Sequence, residues 1–538
     1  MGKYFLISIL VIAAVFRFWK LDLLPLFGDE VDVGYQAYSL LKTGKDYMGQ
    51  FLPLYIHSLS EWRAPLFIYA SIPGIALFGL NEWGVRFTPA LFGVLGVFLV
   101  FILGKNLKNE KLGLAASLVL AIMPWHIHYS RVAFETTLLI DLLLVGTILL
   151  INGKKWQLML AGIAFALTPF TYSTAAIFTP LYVVTLFLLT HKIVNIRKIW
   201  FIKPFVIIFL LFVYIAMFGQ GSNRFSLISV FNNERILDTT NIERTETKLP
   251  YERLFHNKIV GWGEEIVSNY IKSFSPEFLF VSGDPLPRHS VPGTGVLLWG
   301  TFIPFIFGLF RLFSTKEPWK WIILSWLLFA PISASLTNGG GNHATRLFLM
   351  TVPISFIVAL GFEYFLNQKT YKIKLLSLML IFLTAGNLLF YIHRYMTHYP
   401  LQSWKYWHYG FSQTMQKVGE VQHDYFSVYV NNTYEPALLH YLFWTKFNPE
   451  DFHKSFKGDA PLEYADGFNG FFFANTLFGE DKGGFTEFMM PGHLYLFAQG
   501  KEIPGDWDWS KSPPDEVQVI DVIHSPQNTP LFTIVTKK

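Results

Sequence analysis

Two adjacent carboxylates, Asp29 and Glu30, follow the first apolar run of the chain, Tyr4 to Trp19. Neighbouring side chains do not share a helix face, so the two acids are expected to have different roles. Two acids just outside a predicted membrane span are candidates for a chemical role. The structural alternative makes Asp29 the N-cap of a helix from Glu30 to Leu41, whose dipole favours acids at its start. Both interpretations are open from the spacing alone.

A second charged cluster, Glu61-Trp62-Arg63, lies in the same loop and favours a functional role for this region. Later in the chain, the segment from Ser282 to Gly293 is rich in turn-forming residues and brings Arg288 and His289 to the start of an apolar run. A lone histidine is usually structural or solvated. His289 and the distant Glu61 could together hold a divalent metal, although spacing does not establish this. The chain has no cysteine, which excludes thiolate catalysis, disulfides and cysteine-based metal sites.

Further charged residues stand at the ends of apolar runs: Arg86, Arg131, Glu135 and Arg346. Arg131 and Glu135 have the spacing of side chains on one helix face, so they form either a structural ion pair or part of a site. Arg346 alone would be an interfacial arginine whose head group reaches water. Charged groups in spans usually face a cavity or a partner. Several of them at one depth therefore favour a shared cavity.

The composition indicates a bilayer as the environment of these residues. Of 538 residues, 52% are hydrophobic, 18% are aromatic and only 15% are charged. Soluble domains have roughly 25% charged residues. The net charge of +5 gives no reason to expect a nucleic-acid partner. The first apolar run lacks a small-residue cleavage site and is predicted to be a retained span rather than a removed signal peptide.

A transmembrane helix needs about 20 predominantly apolar residues, and the chain is predicted to contain about eleven. Basic residues such as Lys105, Lys108, Lys154 and Lys155 fall in every second loop, which places those loops in the cytoplasm. Residues 20–82, residues 219–292 and the C-terminus are then outside. The short run from Leu66 to Leu80 is interpreted as re-entrant or interfacial, lying with a helix over 30–43 on the outer membrane surface. The predicted spans are 4–19, 83–104, 112–128, 132–151, 156–171, 174–190, 199–218, 293–313, 319–336, 344–365 and 374–392.

The character of the sequence changes near Tyr395. The predicted strands after that point are 426–430, 470–473, 493–497 and 531–535, with a helix over 436–444. The chain is therefore predicted to be mostly α, with a transmembrane domain over 1–394 and an extracytoplasmic α/β domain over 395–538.

The ordered set of these motifs resembles the GT-C fold glycosyltransferases that use polyprenyl-phosphate sugars. It is most similar to the protein O-mannosyltransferases and the aminoarabinose transferases of lipid A. The resemblance rests on Asp29-Glu30, on Glu61-x-Arg63-x-Pro65, on Gly84-Val85-Arg86, on Arg131 to Glu135 and on His289-x-x-Pro292. It covers nearly all of residues 1–400, and no single motif in it is specific.

The resemblance implies a function: transfer of a single sugar from a polyprenyl phosphate to a hydroxyl of a lipid, glycan or protein, with inversion. Asp29, with Glu30, would be catalytic, and Asp29 would deprotonate the acceptor. Glu61 and His289 would hold a divalent metal ion near the lipid phosphate. Arg63, with Arg288 and Arg346, would bind that phosphate, and Arg86, Arg131 and Glu135 would line the cavity. The site would face outward from the cytoplasmic membrane, with Asp29, Glu61, Arg63 and His289 in one pocket.

Two other functions are weighed. Trp404-Lys405-Tyr406-Trp407-His408-Tyr409-Gly410 is similar to the Trp-Trp-Asp-Tyr-Gly motif of oligosaccharyltransferases. The aspartate is missing, and an aromatic belt at the membrane interface explains the segment better. A transporter of lipid-linked glycans would show related halves and interrupted midplane helices. Neither feature is evident in this sequence.

Overall fold

Most of the chain is helical, with a sheet near its C-terminus. The computed structural model describes residues 2–58, 62–190, 199–218, 229–246, 251–431, 437–456, 468–473, 475–481 and 489–538. The helices up to residue 218 are α1 (Gly2–Phe18), α2 (Gly28–Thr43), α3 (Leu66–Phe78), α4 (Glu82–Leu107), α5 (Glu110–Ile122), α6 (Pro124–Tyr129), α7 (Thr136–Asn152), α8 (Lys155–Leu167), α9 (Ala175–Thr190) and α10 (Ile199–Phe218).

The later helices include the polar segments between residue 218 and the next apolar run. They are α11 (Glu234–Glu246), α12 (Glu252–Phe255), α13 (Lys258–Lys272), α14 (Phe302–Ser314), α15 (Lys320–Ser335), α16 (Ala344–Leu347), α17 (Thr351–Leu366), α18 (Tyr371–Thr397), α19 (Tyr399–Ser403), α20 (Phe411–Val421), α21 (Ala437–Trp444) and α22 (Pro449–Ser455). Residues 219–228 and 247–250 of the predicted outer loop lie outside the described residues.

Among the described residues, four helices are long and apolar enough to cross a membrane: Glu82–Leu107, Ile199–Phe218, Ala344–Leu366 and Tyr371–Thr397. Several other apolar helices have 13 to 17 residues, among them α3 and α7. At 1.5 Å per residue such helices are roughly 20–26 Å long, short of the hydrocarbon thickness of about 30 Å. The mostly helical membrane architecture is therefore confirmed, but the count of about eleven spans is not.

The chain divides into two compact units. The helical unit comprises Met1–Lys20, Trp62–Phe67 and Pro89–Tyr399. The sheet unit comprises Leu21–Glu61, Ile68–Thr88 and Pro400–Lys538. The segment that contains Asp29 and Glu30 thus belongs to the same compact unit as the C-terminal part of the chain.

Close helix contacts at glycine characterise the helical unit. Helices α14 and α17 approach each other where Gly308 faces the carbonyl of Ile357 and Gly361 faces the carbonyl of Pro304. A Cβ at either glycine would lie 1.8 Å from that carbonyl oxygen, so only glycine allows this separation of the backbones. Small residues at helix interfaces are the usual device for tight packing in membranes.

A six-stranded mixed sheet forms the centre of the sheet unit. Its strands are β3 (Val428–Asn431), β4 (Phe468–Phe473), β5 (Thr476–Asp481), β6 (Leu494–Ala498), β7 (Val517–His524) and β8 (Pro530–Lys537), after the two-residue strands β1 (Ile56–His57) and β2 (Trp62–Arg63) elsewhere in the chain. The order in the sheet is β4-β5-β3-β6-β8-β7. The central β3 runs parallel to both neighbours, with Val428 beside Thr476 and Leu494.

Helix α2 packs against the C-terminal helices of the sheet unit. The hydroxyl of Tyr35 donates to the carbonyl of Phe447 at 3.0 Å, and Gly34 lies against the ring of Phe443. Buried residues occur around most of the circumference of α2, including Val31, Asp32 and Gln36. Helix α2 is therefore covered by protein on most of its sides, and its predicted position on the outer membrane surface stays a prediction.

Candidate active site

The first turn of α2 separates the two acids of the Asp29-Glu30 pair. Asp29 is exposed, whereas Glu30 is fully buried. The helix begins at Gly28, and Phe27 occupies the N-cap position without a side-chain cap. Asp29 is thus inside the first turn, and the alternative in which it is the N-cap does not hold. The exposed carboxylate stays close to the positive end of the helix dipole.

Glu30 forms a buried ion pair with Arg86 of α4. Arg86 donates from Nε to Oε1 of Glu30 at 2.8 Å and from Nη2 to Oε2 at 2.6 Å, a two-bond contact typical of arginine and carboxylate. Its other N–H groups donate to the carbonyls of Leu21 and Leu24 through Nη1 and of Pro25 through Nη2. All five N–H groups of the guanidinium are therefore used. Arg86 fixes both the start of α2 and the turn that leads to Asp29.

His408 holds the same turn from the C-terminal part of the sheet unit. Its Nδ1 accepts a hydrogen bond from the backbone N–H of Gly28 at 3.1 Å. His408 has a left-handed backbone, with φ of 47°, which turns the chain sharply at this point. Trp407 is buried, and its ring makes an edge contact with Phe27 at 5.6 Å. The interpretation of this aromatic segment as a membrane-interface belt is thus wrong for Trp407, which packs behind the Asp29 turn.

In the helical unit, the loop that ends near Gly293 packs against the segment before α16. Asp284 accepts backbone hydrogen bonds from Leu286 at 2.8 Å and from Ala344 at 2.7 Å. Burial raises the pKa of Asp284 to about 6. Burial and the nearby Arg346 lower the pKa of His343 to about 3. His343 Nδ1 lies 3.9 Å from Asp284, but at neutral pH the imidazole is uncharged, so the contact is not an ion pair.

His289 lies in the same cluster. Its Nδ1 is 3.3 Å from the hydroxyl of Tyr129 and 3.2 Å from that of Thr345, and these two hydroxyls are 2.8 Å apart. The ring centre of His343 is 5.0 Å from that of His289. The structure therefore brings His289, His343 and Asp284 together, although they come from two separate segments of the chain.

The predicted phosphate-binding arginines all belong to the helical unit. Arg346 donates to the hydroxyl of Thr337 at 2.6 Å and to the carbonyl of Asn338 at 3.0 Å. Arg63 is buried, with 6% of its surface exposed. Arg288 is half-buried, and its carbonyl accepts a hydrogen bond from Nε2 of His128 at 2.8 Å. Their role in phosphate binding stays a prediction.

The other predicted metal ligand, Glu61, lies outside the described residues. Within the described part of the chain, no three side chains of histidine, cysteine, aspartate or glutamate are arranged to hold a metal ion. The described residues thus do not assemble a metal centre around His289. The metal site stays a prediction, and no chemical step below depends on it.

Arg131 has a structural environment that its spacing from Glu135 does not predict. Residues 131–135 form turns, and α7 begins only at Thr136, so the two side chains do not share a helix face. Arg131 donates to the carbonyls of Phe16 at 2.9 Å and Lys20 at 2.7 Å, and thereby holds the end of α1. The roles of Arg131 and Glu135 in a cavity stay predictions.

Comparisons with known proteins agree with this architecture. Residues 63–218 match the family model described as dolichyl-phosphate-mannose-protein mannosyltransferase. ArnT from Cupriavidus metallidurans, solved bound to undecaprenyl phosphate, has a TM-score of 0.54 and 11% identity. That similarity covers 99% of this chain and 97% of ArnT, so the two share a fold. The resemblance to O-mannosyltransferases and aminoarabinose transferases, and with it the GT-C architecture, is confirmed at this level.

Two further similarities are weaker. An uncharacterised protein of Aquifex aeolicus (strain VF5) is 24% identical over 361 residues, which cover 63% of this chain and 67% of that protein. The oligosaccharyltransferase AglB of Archaeoglobus fulgidus has 14% identity and a TM-score of 0.47, and the match covers 78% of this chain. The chain spans only 58% of the length of AglB, and this similarity supports no inference about its activity.

Proposed function

We propose that this protein is a membrane glycosyltransferase that moves a single sugar from a polyprenyl phosphate to an acceptor hydroxyl, with inversion. The observation that supports this function best is the exposed Asp29 on a turn held by Arg86 and His408. An exposed carboxylate on a turn whose backbone is fixed in this way has the properties of a general base. The shared fold with ArnT and the match of residues 63–218 to the mannosyltransferase model support the same reaction class.

Asp29 would remove the proton from the acceptor hydroxyl as the oxygen attacks the anomeric carbon. A bond forms between that oxygen and the anomeric carbon while the bond from this carbon to the phosphate oxygen breaks. The polyprenyl phosphate leaves with the bonding electrons, and the carboxyl of Asp29 keeps the proton until it is lost to water. Attack from the side opposite the leaving group inverts the configuration.

The leaving phosphate requires positive charge, because an unpaired anion at a membrane surface is costly. Arg63, Arg288 and Arg346 are the residues we propose for this task. Arginine suits it, since its planar guanidinium can bind two phosphate oxygens at once. The donor is proposed to be a polyprenyl phosphate because ArnT was solved with undecaprenyl phosphate.

We assign Glu30 a positioning role rather than direct catalysis. Glu30 is fully buried and held by two bonds from Arg86, whereas Asp29 is exposed. The adjacent acids would thus divide the work, one orienting the turn and the other moving the proton. We further propose that the reaction takes place on the outer face of the cytoplasmic membrane and that the C-terminal domain lies outside.

Replacing Asp29 with Asn tests the proposed base. The amide keeps the size of the side chain but does not take up the proton, so turnover should fall by roughly 10²–10⁴-fold. The assay would incubate the purified protein in nanodiscs with a panel of undecaprenyl-phosphate sugars and a membrane-lipid extract as acceptor. Release of undecaprenyl phosphate and labelled product would be measured.

Asp22→Asn is the matched control, because Asp22 is an exposed acid near the start of the same segment. It should leave turnover unchanged. Near-normal transfer by a well-expressed Asp29→Asn protein would contradict the role of Asp29. Absence of transfer by the unmodified protein with every sugar of the panel would contradict the reaction class.

A further inference from the structure

A large cavity in the sheet unit has no role in the reaction described above. Its volume is about 830 Å³, within the range of roughly 300–1,000 Å³ that is typical of pockets for small ligands. The walls come from the segment 404–411, the loop that follows β6 and the turn between β7 and β8. All of these segments belong to the sheet unit.

Four aromatic residues are among those that line this cavity. They are Trp404, Tyr409, Phe411 and Phe532. The rings of Trp404 and Tyr409 lie 6.4 Å apart and nearly perpendicular, at 79°. The face of an aromatic ring attracts the weakly positive C–H groups on the flat side of a sugar ring. Trp404, Phe411 and Phe532 are largely buried and offer small apolar surfaces, whereas the half-buried Tyr409 is the most accessible of the four to a sugar ring.

Carboxylates and amides also line the cavity. The carboxylate of Asp508 accepts hydrogen bonds from Ser510 and forms an ion pair with Lys511 at 2.8 Å. The contact with Lys511 holds the pKa of Asp508 down to about 2, so this carboxylate is ionised at neutral pH. The side-chain amide of Gln499 donates to the carbonyls of Gly505 at 2.8 Å and Trp507 at 3.1 Å. These bonds orient the polar groups in advance, which lowers the entropic cost of binding.

The charges around the cavity indicate an uncharged ligand. Two lysines, Lys405 and Lys511, are offset by two aspartates, Asp506 and Asp508. Since these charges cancel, and Lys511 is already paired with Asp508, the lining gives neither an anion nor a cation a net attraction. Hydroxyl groups, which both donate and accept, can bond to all four side chains and to the amides of Gln527 and Asn528. A neutral polyol fits this combination better than a phosphate or an acidic sugar.

The cavity is also connected to the proposed base. His408 lines it, and the same side chain accepts the hydrogen bond from Gly28, the residue before Asp29. A ligand in the cavity would therefore contact a residue that holds the Asp29 turn. Both residues belong to the sheet unit.

From these observations we infer that the cavity binds a neutral saccharide, namely the sugar portion of the acceptor. That this saccharide belongs to the acceptor rests on the function proposed above, whereas binding of a saccharide does not. The acceptor is then a glycan or a glycosylated molecule whose outer sugars contact Tyr409 and the polar residues that line the cavity, among them Asp506 and Asp508.

The test uses the full-length protein in nanodiscs and measures binding by saturation-transfer NMR and calorimetry. The probes are two neutral trisaccharides, mannotriose and chitotriose, with trigalacturonate and the peptide Gly-Ser-Thr-Ala-Gly as comparisons. At least one neutral trisaccharide should bind. Trp404→Ala should weaken its binding by roughly tenfold or more, as is typical of a central tryptophan. Since Trp404 is largely buried, Asp506→Asn at an exposed position gives a second test, with an expected loss of about threefold.

The controls are Phe426→Ala and Asp515→Asn, an exposed aromatic residue and an exposed acid outside the cavity lining. Both should bind as the unmodified protein does. The inference is overturned if neither neutral trisaccharide binds, if only trigalacturonate or the peptide binds, or if both cavity variants bind normally. Measuring both trisaccharide binding and sugar transfer with the Asp29→Asn protein separates the two proposals. If this variant binds the trisaccharide and still transfers sugar normally, only the role of Asp29 as the base is refuted. If the Asp29→Asn protein loses transfer and the unmodified protein binds no trisaccharide, only saccharide binding in the cavity is refuted.

Discussion

Replacing Arg86 with Met should destabilise the protein more than any exposed substitution, because five hydrogen bonds end on this one side chain. Two of them neutralise Glu30, and three satisfy the carbonyls of Leu21, Leu24 and Pro25. Arg86 and Glu30 are 1% and 0% exposed, so water does not replace the lost partners. The methionine fills much of the volume but donates nothing.

The magnitude follows from these contacts. A buried carboxylate that loses its partner costs about 3–5 kcal/mol. Three carbonyls that lose a donor cost about 1 kcal/mol each, or about 3 kcal/mol together. The double variant Glu30→Leu/Arg86→Met removes the carboxylate as well and should retain only the cost of the carbonyls. The second substitution is therefore expected to restore about 3–5 kcal/mol, so the double variant should melt at a higher temperature than Arg86→Met alone.

Thermal unfolding of the unmodified protein, Arg86→Met and the double variant in nanodiscs measures this order. Arg311→Met is the control at an exposed arginine. Arg86→Lys adds a functional readout at a temperature where it is folded. A lysine has three donors on one nitrogen and does not reproduce the planar contact, so kcat should fall while the KM for the donor changes little. If Arg86→Met melts at or above the double variant, the bond between Glu30 and Arg86 is not the main stabiliser, and our positioning role for Glu30 falls with it.

Two further predictions concern the helical unit. Gly308→Ala should lower the melting temperature because the new Cβ would lie 1.8 Å from the carbonyl oxygen of Ile357. Gly386→Ala is the control: no atom lies within 4 Å of its Cβ, so the melting temperature should stay unchanged or rise. Equal melting temperatures of the two variants would contradict the packing argument. Between pH 6.5 and 4, His343→Gln and Asp284→Asn should change the pH dependence of stability in opposite directions, as measured by melting across that range. The pKa of His343 is about 3 in the folded protein and 6.5 in the unfolded chain. Acid therefore protonates the unfolded chain first and destabilises the unmodified protein, an effect that His343→Gln lacks. The pKa of Asp284 is about 6 in the folded protein and 3.8 in the unfolded chain. Acid therefore protonates the folded protein first and stabilises the unmodified protein, an effect that Asp284→Asn lacks. If the two variants change the dependence of melting temperature on pH in the same direction, these two pKa shifts are refuted.

Apolar runs and alternation were sufficient to predict the fold class. The helical region, the strands over 428–431, 494–498 and 530–537, and helix α21 all fall where the sequence pattern places them. Strands β5 and β7 were not predicted, because Thr476–Asp481 and Val517–His524 include polar residues that weaken the alternation. The environment of α2 was also missed. Its polar residues Asp32 and Gln36 are fully buried, and Gln36 is bonded to the backbone of Tyr47 and His57 in the loop that follows the helix.

The candidate site shows the same division. Motif spacing identified Asp29, Arg86 and His289 as unusual, and each lies in a distinct polar environment. Spacing did not identify Tyr129, Thr345 and His408. Each of them contacts a residue that is distant in the sequence through a hydrogen bond, and such a contact produces no recognisable sequence pattern. The prediction that Arg131 and Glu135 share a helix face is wrong, because α7 begins after both. The aromatic segment from Trp404 to Gly410 was the one available signal for His408.

The position of Asp29 depends on residues that are close in space and distant in sequence. Arg86 anchors the turn from α4, and His408 anchors it from the start of the C-terminal region. Neither residue needs to contact a substrate to affect the rate, because a small displacement of a general base reduces proton transfer. The C-terminal region is therefore more than an appended domain, since its His408 holds the turn that presents the proposed base. Substitution of His408 by a residue that does not accept the Gly28 hydrogen bond should thus lower kcat even when the sheet remains folded.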